Sequence, residues 1–381
     1  MRPLIYLDNN ATTLPAPRVV DAVRESFEHF GNPSSAHAAG KVPRDIVNKA
    51  RDSVGAFIGA ASPSEVIFTS GGTESDNWAI LGALESRPEK NHVVTTRVEH
   101  EGVRKLCEKL EQKGTRVNWI DVDELGRLDL DQLLESIDET TAVVSVMMAN
   151  NETGVIFPVA EIAEIVKERS DALFHVDGVN AAGKIPIDLK KTKIDLFSLS
   201  AHKFHGPKGI GVLYIRKGVD LPSLQIGGGQ ELGRRAGTEA VHQIAGIGAA
   251  VEYASDLSSM RQVRELRDWL ENSILASIQN ASVNGNIEGR LPNTTNISFE
   301  NVNGEMILHY LDEAGVCVST GSACNSESRT ASPVLAAMNV PYSKAMGSIR
   351  FSLSRMNRME EIEGTIEIVK SVIEKLKPVS G

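Results

Sequence analysis

Short apolar runs rich in β-branched residues alternate along the chain with amphipathic segments, the pattern of a largely parallel sheet wrapped by helices. Residues 66–69, 92–96, 117–120, 142–148, 173–176, 195–199 and 211–215 are the strand candidates. Between them, 76–84, 102–112 and 159–168 carry apolar residues at helical spacing. A glycine-rich run, 227–237, and a long helical stretch, about 241–278, come next; the texture then changes to shorter strands such as 295–299. A domain boundary is therefore expected near Ser259, with a large unit over 14–258 and a smaller α+β unit made of 1–13 and 259–381. The last segment puts Ile362, Ile366, Val369, Val372, Ile373 and Leu376 on one face, which predicts a helix packed on the second unit and ended by Pro378.

Composition narrows the function classes. A length of 381 residues with 41% hydrophobic content fits two globular units with sizeable cores. Forty basic against 50 acidic residues give a formal charge of -10, which leaves no electrostatic footprint for direct nucleic-acid binding. Lys190, Lys191 and Lys193, the densest basic cluster, read as a solvated loop. The first residues carry no basic region followed by a long apolar one, and the longest apolar stretch, 142–149, is far short of the ~20 residues a membrane span needs. Three cysteines, Cys107, Cys317 and Cys324, form neither a disulfide framework nor a paired metal motif. A soluble, cytoplasmic chain with reduced thiols is expected.

Candidate chemistry gathers at the ends of the expected strands. Lys203 lies in Ser200-Ala201-His202-Lys203-Phe204-His205-Gly206-Pro207-Lys208-Gly209, just past the apolar run 195–199. An amine there holds an aldehyde cofactor such as pyridoxal phosphate as a Schiff base only if it can lose its proton, which needs a setting that lowers a lysine pKa from its usual ~10.4. Alone, such a lysine is usually just solvated. The strand 66–69 runs into Ser70-Gly71-Gly72-Thr73-Glu74-Ser75-Asp76-Asn77, and glycines that open a helix expose backbone N–H groups suited to a phosphate. The spacing of a P-loop is absent, and 227–233 does not fit a dinucleotide fingerprint. Asp177 closes the strand 173–176, where an acid can keep a pyridine nitrogen protonated; a turn-forming Asp is the commoner case. His100 falls at the same edge of the sheet, able to stack on a ring or shuttle protons. Cys324 lies in Ser319-Thr320-Gly321-Ser322-Ala323-Cys324-Asn325-Ser326-Glu327-Ser328, a run without apolar period that predicts an exposed loop and a thiol suited to carry sulfur. In the strand-like run 347–353, Arg350 points opposite to Ile349 and Phe351 and suits a substrate carboxylate.

With these residues in place, the chain resembles the pyridoxal 5'-phosphate (PLP)-dependent cysteine desulfurases of the NifS/IscS type. The matches run from Tyr6-Leu7-Asp8-Asn9-Asn10-Ala11-Thr12-Thr13 through Gly31-Asn32-Pro33-Ser34-Ser35, 69–77, Asn150-Asn151-Glu152, 200–209, 227–238 and Gly321-Ser322-Ala323-Cys324 to Arg350-Phe351-Ser352-Leu353. The resemblance implies a fold-type-I PLP-dependent transferase: a mostly parallel seven-stranded sheet with helices on both faces plus a smaller α+β domain, assembled as a homodimer. It implies that Lys203 holds PLP, Asp177 pairs with the pyridine nitrogen, His100 stacks on the ring, and Gly72, Thr73, Ser200 and His202 bind phosphate. Asn151 would approach the ring hydroxyl or the substrate, Arg350 the substrate carboxylate, and Thr238 the phosphate of the neighbouring subunit. L-cysteine would be converted to L-alanine, leaving a persulfide on Cys324 for a sulfur-acceptor protein such as an iron-sulfur scaffold.

The chain departs from the family pattern at three places. Asn180 stands where a Gln is usual, Gly72 where an Ala is common, and Arg329-Thr330-Ala331 where Leu-Glu-Pro is frequent. The shorter Asn180 puts the ring-oxygen contact in question, whereas Gly72 is expected to be harmless. A selenocysteine lyase, another PLP-dependent lyase or a noncatalytic sulfur-relay scaffold are the alternative classes.

Overall fold

The computed structural model of the protein describes residues 4–320 and 331–376. A short first strand, β1 (Ile5–Tyr6), precedes seven strands that build the main sheet. These are β2 (Val66–Thr69), β3 (His92–Thr96), β4 (Arg116–Ile120), β5 (Thr141–Met147), β6 (Leu173–Asp177), β7 (Leu196–Ser200) and β8 (Gly211–Ile215). Their order is β2-β8-β7-β6-β5-β3-β4, and only β8 runs against its neighbours. All seven expected strands are present within a residue or so of the predicted bounds.

Alternate residues of these strands enter two different cores. Val94, Val144, Phe174, Phe197 and Val212 face one, with residues of helices Lys41–Ile58, Val159–Arg169 and Val241–Ala254. Val93, Val143, Leu173, Leu196 and Leu213 face the other, with residues of helices Gly72–Glu85 and Glu101–Gln112. Burial on both faces is why the strands read as continuous apolar runs rather than as alternating ones. The helix expected from residue 76 begins at Gly72, because its first turn is polar and adds nothing to the apolar period. The long stretch near 241–278 is two helices, Val241–Ala254 and Ser259–Ser277. Asp256 marks the break, where its carboxylate accepts from the Ser258 N–H at 2.9 Å.

A separate buried cluster joins Leu7, Leu270, Ile297, Phe299, Ile307, Ile349, Phe351, Ile362 and Val369. It packs against the antiparallel sheet of β9 (Ala281–Val283), β10 (Thr294–Phe299) and β12 (Ser348–Ser352). The parallel pair of β1 with β11 (Val316–Cys317) extends it. The final helix Met359–Leu376 buries Ile362, Ile366, Val369, Val372 and Ile373, the face expected from the pattern; Pro378 lies outside the described residues.

Candidate active site

Five strands deliver polar residues to one edge of the main sheet, beyond their carboxyl ends, where open parallel sheets bind ligands. A cavity of about 360 Å³ opens there and extends to Arg350 on β12. That size suits a small cofactor together with an amino acid.

β2 leads through Ser70 into the helix Gly72–Glu85, which starts at Gly71 without a side-chain cap. Its first-turn N–H groups therefore carry the positive end of the helix dipole into the cavity beside Gly72 and Thr73, a contribution of roughly 0.3–2 kcal/mol for an anion. Gly72 also has a packing reason. A Cβ there would lie 2.8 Å from Cγ2 of Val179, so the Ala common at this position would force Val179 to move.

β7 ends at buried Ser200, and the turn Ala201–Lys203 follows at once. His202 Nδ1 lies 3.2 Å from the Thr12 hydroxyl, and the Thr13 N–H donates to the His202 carbonyl at 2.9 Å. The Lys203 ammonium donates to the carbonyls of Asn10 and, at 3.1 Å, Ala11. Asn10 in turn donates to the Asn151 carbonyl at 3.1 Å and to Thr294 at 2.9 Å. The N-terminal segment thus joins the lysine turn to the second unit.

Asp177 lines the cavity from the end of β6 and accepts from the Val179 N–H at 2.9 Å. Burial raises its pKa, while His100, the Val179 N–H and Lys203 oppose the rise. A protonated pyridine nitrogen beside this carboxylate would add a further favourable charge and hold it ionised, so the residues present fit a PLP ring. His100 caps the helix Glu101–Gln112 by accepting from the Gly102 N–H at 3.1 Å through Nδ1, which leaves the proton on Nε2. Burial lowers its pKa, favouring the neutral ring.

Arg350 reaches the cavity from β12 as expected, while Ile349 and Phe351 enter the second core. Its guanidinium donates to Asp8 Oδ1 at 2.7 Å and to the Asn151 carbonyl at 3.0 Å, while Nε has no partner among the described residues. A substrate carboxylate would therefore share this arginine with Asp8. The side-chain amide of Asn151 lines the cavity and makes no hydrogen bond among the described residues. Asn180 also lines the cavity; its amide donates to the Asn150 carbonyl at 3.3 Å. Thr238 is exposed and does not line the cavity. Cys324 lies outside the described residues, but Ala331 and Pro333, just after that stretch, line the cavity.

Two acids that the sequence pattern did not single out complete the floor. Asp76 and Glu99 are buried, line the cavity, and each has one oxygen without a hydrogen-bond partner among the described residues. Burial and the charge of Asp177 push Asp76 well above the usual carboxylate range. Glu99 is pushed up to about 8, mainly by burial, against the opposing Met147 N–H and Thr96 hydroxyl. In the folded chain Glu99 is protonated up to about pH 8, whereas in the unfolded chain it ionises above its ordinary 4.5. Stability from this group is therefore fully present below pH 4.5 and is lost as pH rises towards 8. Glu99→Gln is expected to match the parent near pH 4.5 and to exceed it progressively up to pH 8, by at most about 1.4 kcal/mol per pH unit. Urea denaturation across that range checks it, and a margin that does not grow with pH would contradict it.

Comparison with known proteins adds an independent finding. The aminotransferase class-V family model matches residues 5–364. The chain belongs to the aminotransferase class-V family. It is 49% identical over 380 residues to a cysteine desulfurase of Nostoc sp., covering 99% of this chain and 94% of that protein. A solved structure described as a NifS-like protein superposes with a TM-score of 0.93 at 39% identity, covering 98% of this chain and all of that one. A second, SspA in complex with cysteine, gives 0.82 at 34% identity over 92% of this chain and 98% of that one. The fold is thus that of the NifS-like PLP-dependent enzymes, as the sequence resemblance implied.

Proposed function

We propose that the protein is a PLP-dependent cysteine desulfurase that converts L-cysteine to L-alanine and leaves the sulfur as a persulfide on Cys324. The observation that carries this reading is the meeting of Lys203, Asp177 and His100 in one cavity that also receives Arg350 from the second unit. Lys203 would hold the aldehyde of PLP, Asp177 its ring nitrogen, His100 one face of the ring, and Gly72, Thr73, Ser200 and His202 the phosphate. When bound, the cofactor supplies an electron sink that acidifies the substrate Cα–H. Arg350, sharing its charge between Asp8 and the incoming carboxylate, orients L-cysteine, and the Lys203 amine takes the Cα proton and returns it to Cα once the sulfur has left. The Cys324 thiolate attacks the substrate sulfur: an S–S bond forms, the Cβ–S bond breaks, and its electron pair is protonated to give the methyl group of alanine. Proton carriers line the cavity for such a transfer: His100, with its proton on Nε2, and the carboxyls of Asp76 and Glu99, both raised by burial.

The division into 14–258 and 1–13 with 259–381 belongs to the same proposal, supported by the separate buried cluster around Phe299 and Phe351. So does a homodimer. Phe30 and Ile226 are each 90% exposed, and Leu14, Phe27 and Leu232 lie more than half open, an apolar surface that a second copy would cover while bringing Thr238 to the partner's phosphate. The persulfide would pass to an acceptor protein such as an iron-sulfur scaffold, in the cytoplasm. Among the described residues no helix is long and apolar enough to cross a membrane. Incubation with L-cysteine followed by mass measurement of the Cys324 peptide tests the proposal. One added sulfur is expected, and an unmodified peptide alongside alanine production would contradict it.

A further inference from the structure

The chain between β6 and the next turn winds through consecutive tight turns, with the Ala181 and Ala182 N–H groups both donating to the Gly178 carbonyl at 3.1 Å. This places Lys184 one turn beyond Asn180. The Lys184 side chain is 8% exposed, and its amine donates to both oxygens of Asn180, the backbone carbonyl at 2.7 Å and Oδ1 at 3.1 Å. No carboxylate pairs with it among the described residues. Lys203, His205 and Arg355 line the same small cavity, and Lys203 and Arg350 are the charges that, after burial, drive its proton off. A buried amine with no anion is costly, and its retention calls for a role.

The amide of Asn180 supplies that role. A side-chain amide has one oxygen and two N–H bonds, and nothing but its surroundings decides which end faces a ligand. Here Lys184 occupies the oxygen, and one N–H points to the Asn150 carbonyl at 3.3 Å. The second N–H has no acceptor among the described residues, and Asn180 lines the main cavity. The charged amine has no lone pair, so against it the flipped amide would set two N–H groups face to face; in either charge state the flip would also set Oδ1 against the Asn150 carbonyl. The neutral amine keeps two N–H bonds, enough for both Asn180 oxygens.

We infer that Lys184 is a positioning residue: it clamps Asn180 so that the amide presents N–H, not oxygen, to an anionic oxygen of the bound cofactor. The inference rests on the cavity being the PLP site. In that site the shorter Asn180 works because it is held in a single orientation. Lys184 itself touches neither cofactor nor substrate.

The test is a double-mutant cycle on the full chain stripped of cofactor, reading PLP affinity by titration and the stability of the stripped protein by thermal unfolding. Lys184→Met and Asn180→Ala are each expected to weaken PLP binding about tenfold, the loss of one hydrogen bond to a charged group. The double variant is expected to be no weaker than either single one within about twofold, because both changes remove the same contact. Lys184→Gln, which keeps a donor, should bind between the parent and Lys184→Met, and it carries the same test if the Met variant does not fold. Parent-like affinity in the Lys184 variants, losses that multiply to about a hundredfold in the double variant, or a fall in stability with no change in affinity would each overturn the clamp. A parent chain that does not bind PLP would instead overturn the cofactor assignment on which it rests.

Discussion

Lys203→Ala is expected to lower the rate of alanine formation from L-cysteine by about a thousandfold or more, since one side chain serves as both attachment point and proton carrier. The fold should survive the change. Truncation leaves the Asn10 and Ala11 carbonyls without their ammonium donor, a cost of roughly 1–3 kcal/mol for groups that lie beside an open cavity. The surrounding turn is held by the backbone, with the Phe204 and Gly206 N–H groups donating to the Ala201 carbonyl at 3.1 and 2.9 Å. Steady-state kinetics on a variant with parent-like circular dichroism checks it. Activity within tenfold of the parent would remove Lys203 from the chemistry.

Cys324→Ala should be as inactive in sulfur release yet keep the yellow colour of bound cofactor, a split that separates sulfur transfer from cofactor binding. The other two thiols are poor substitutes. Cys107 is fully buried in the core between the sheet and helix Glu101–Gln112, and burial pushes its thiol up to about 12. Cys317 sits in β11, paired with β1 and outside the cavity lining, and burial together with Asp312 and Asp8 raises it as well. Neither forms the thiolate that sulfur transfer needs at neutral pH. Sulfide assays with a reducing acceptor, together with the visible spectrum, decide it. Undiminished sulfide release would point to a lyase that needs no thiol, while loss of colour would tie Cys324 to the cofactor itself.

Particular elements explain what the sequence made legible. The strands were readable because each is buried on both faces, so Val143 and Val144 serve opposite cores yet both must be apolar. Helices Pro17–Ser26 and Lys41–Ile58 escaped the pattern because they lie before the strand-helix alternation begins and dock on helix Val241–Ala254 rather than follow a strand. Lys203, Asp177 and His100 were readable because each lies at the carboxyl end of a strand or in the turn just after it. The pairing of Arg350 with Asp8 spans 342 positions and is set by β12 lying beside the N-terminal segment, which no local motif encodes. Asp76, Glu99 and Lys184 went unremarked for a related reason. A charged residue announces nothing until tertiary packing takes it out of water, as it does for Asp76 and Glu99 at the floor of the cavity and for Lys184 behind Asn180.

The central claim is that the amine of residue 203 is the one that bonds the cofactor. Borohydride reduction of the coloured protein, followed by proteolysis and mass measurement, locates that amine directly. A pyridoxyl group is expected on the peptide bearing Lys203 and none on that bearing Lys184, the buried amine with which Lys203 shares the neighbouring small cavity. A label on Lys184, or a protein that keeps its colour under borohydride, would contradict it.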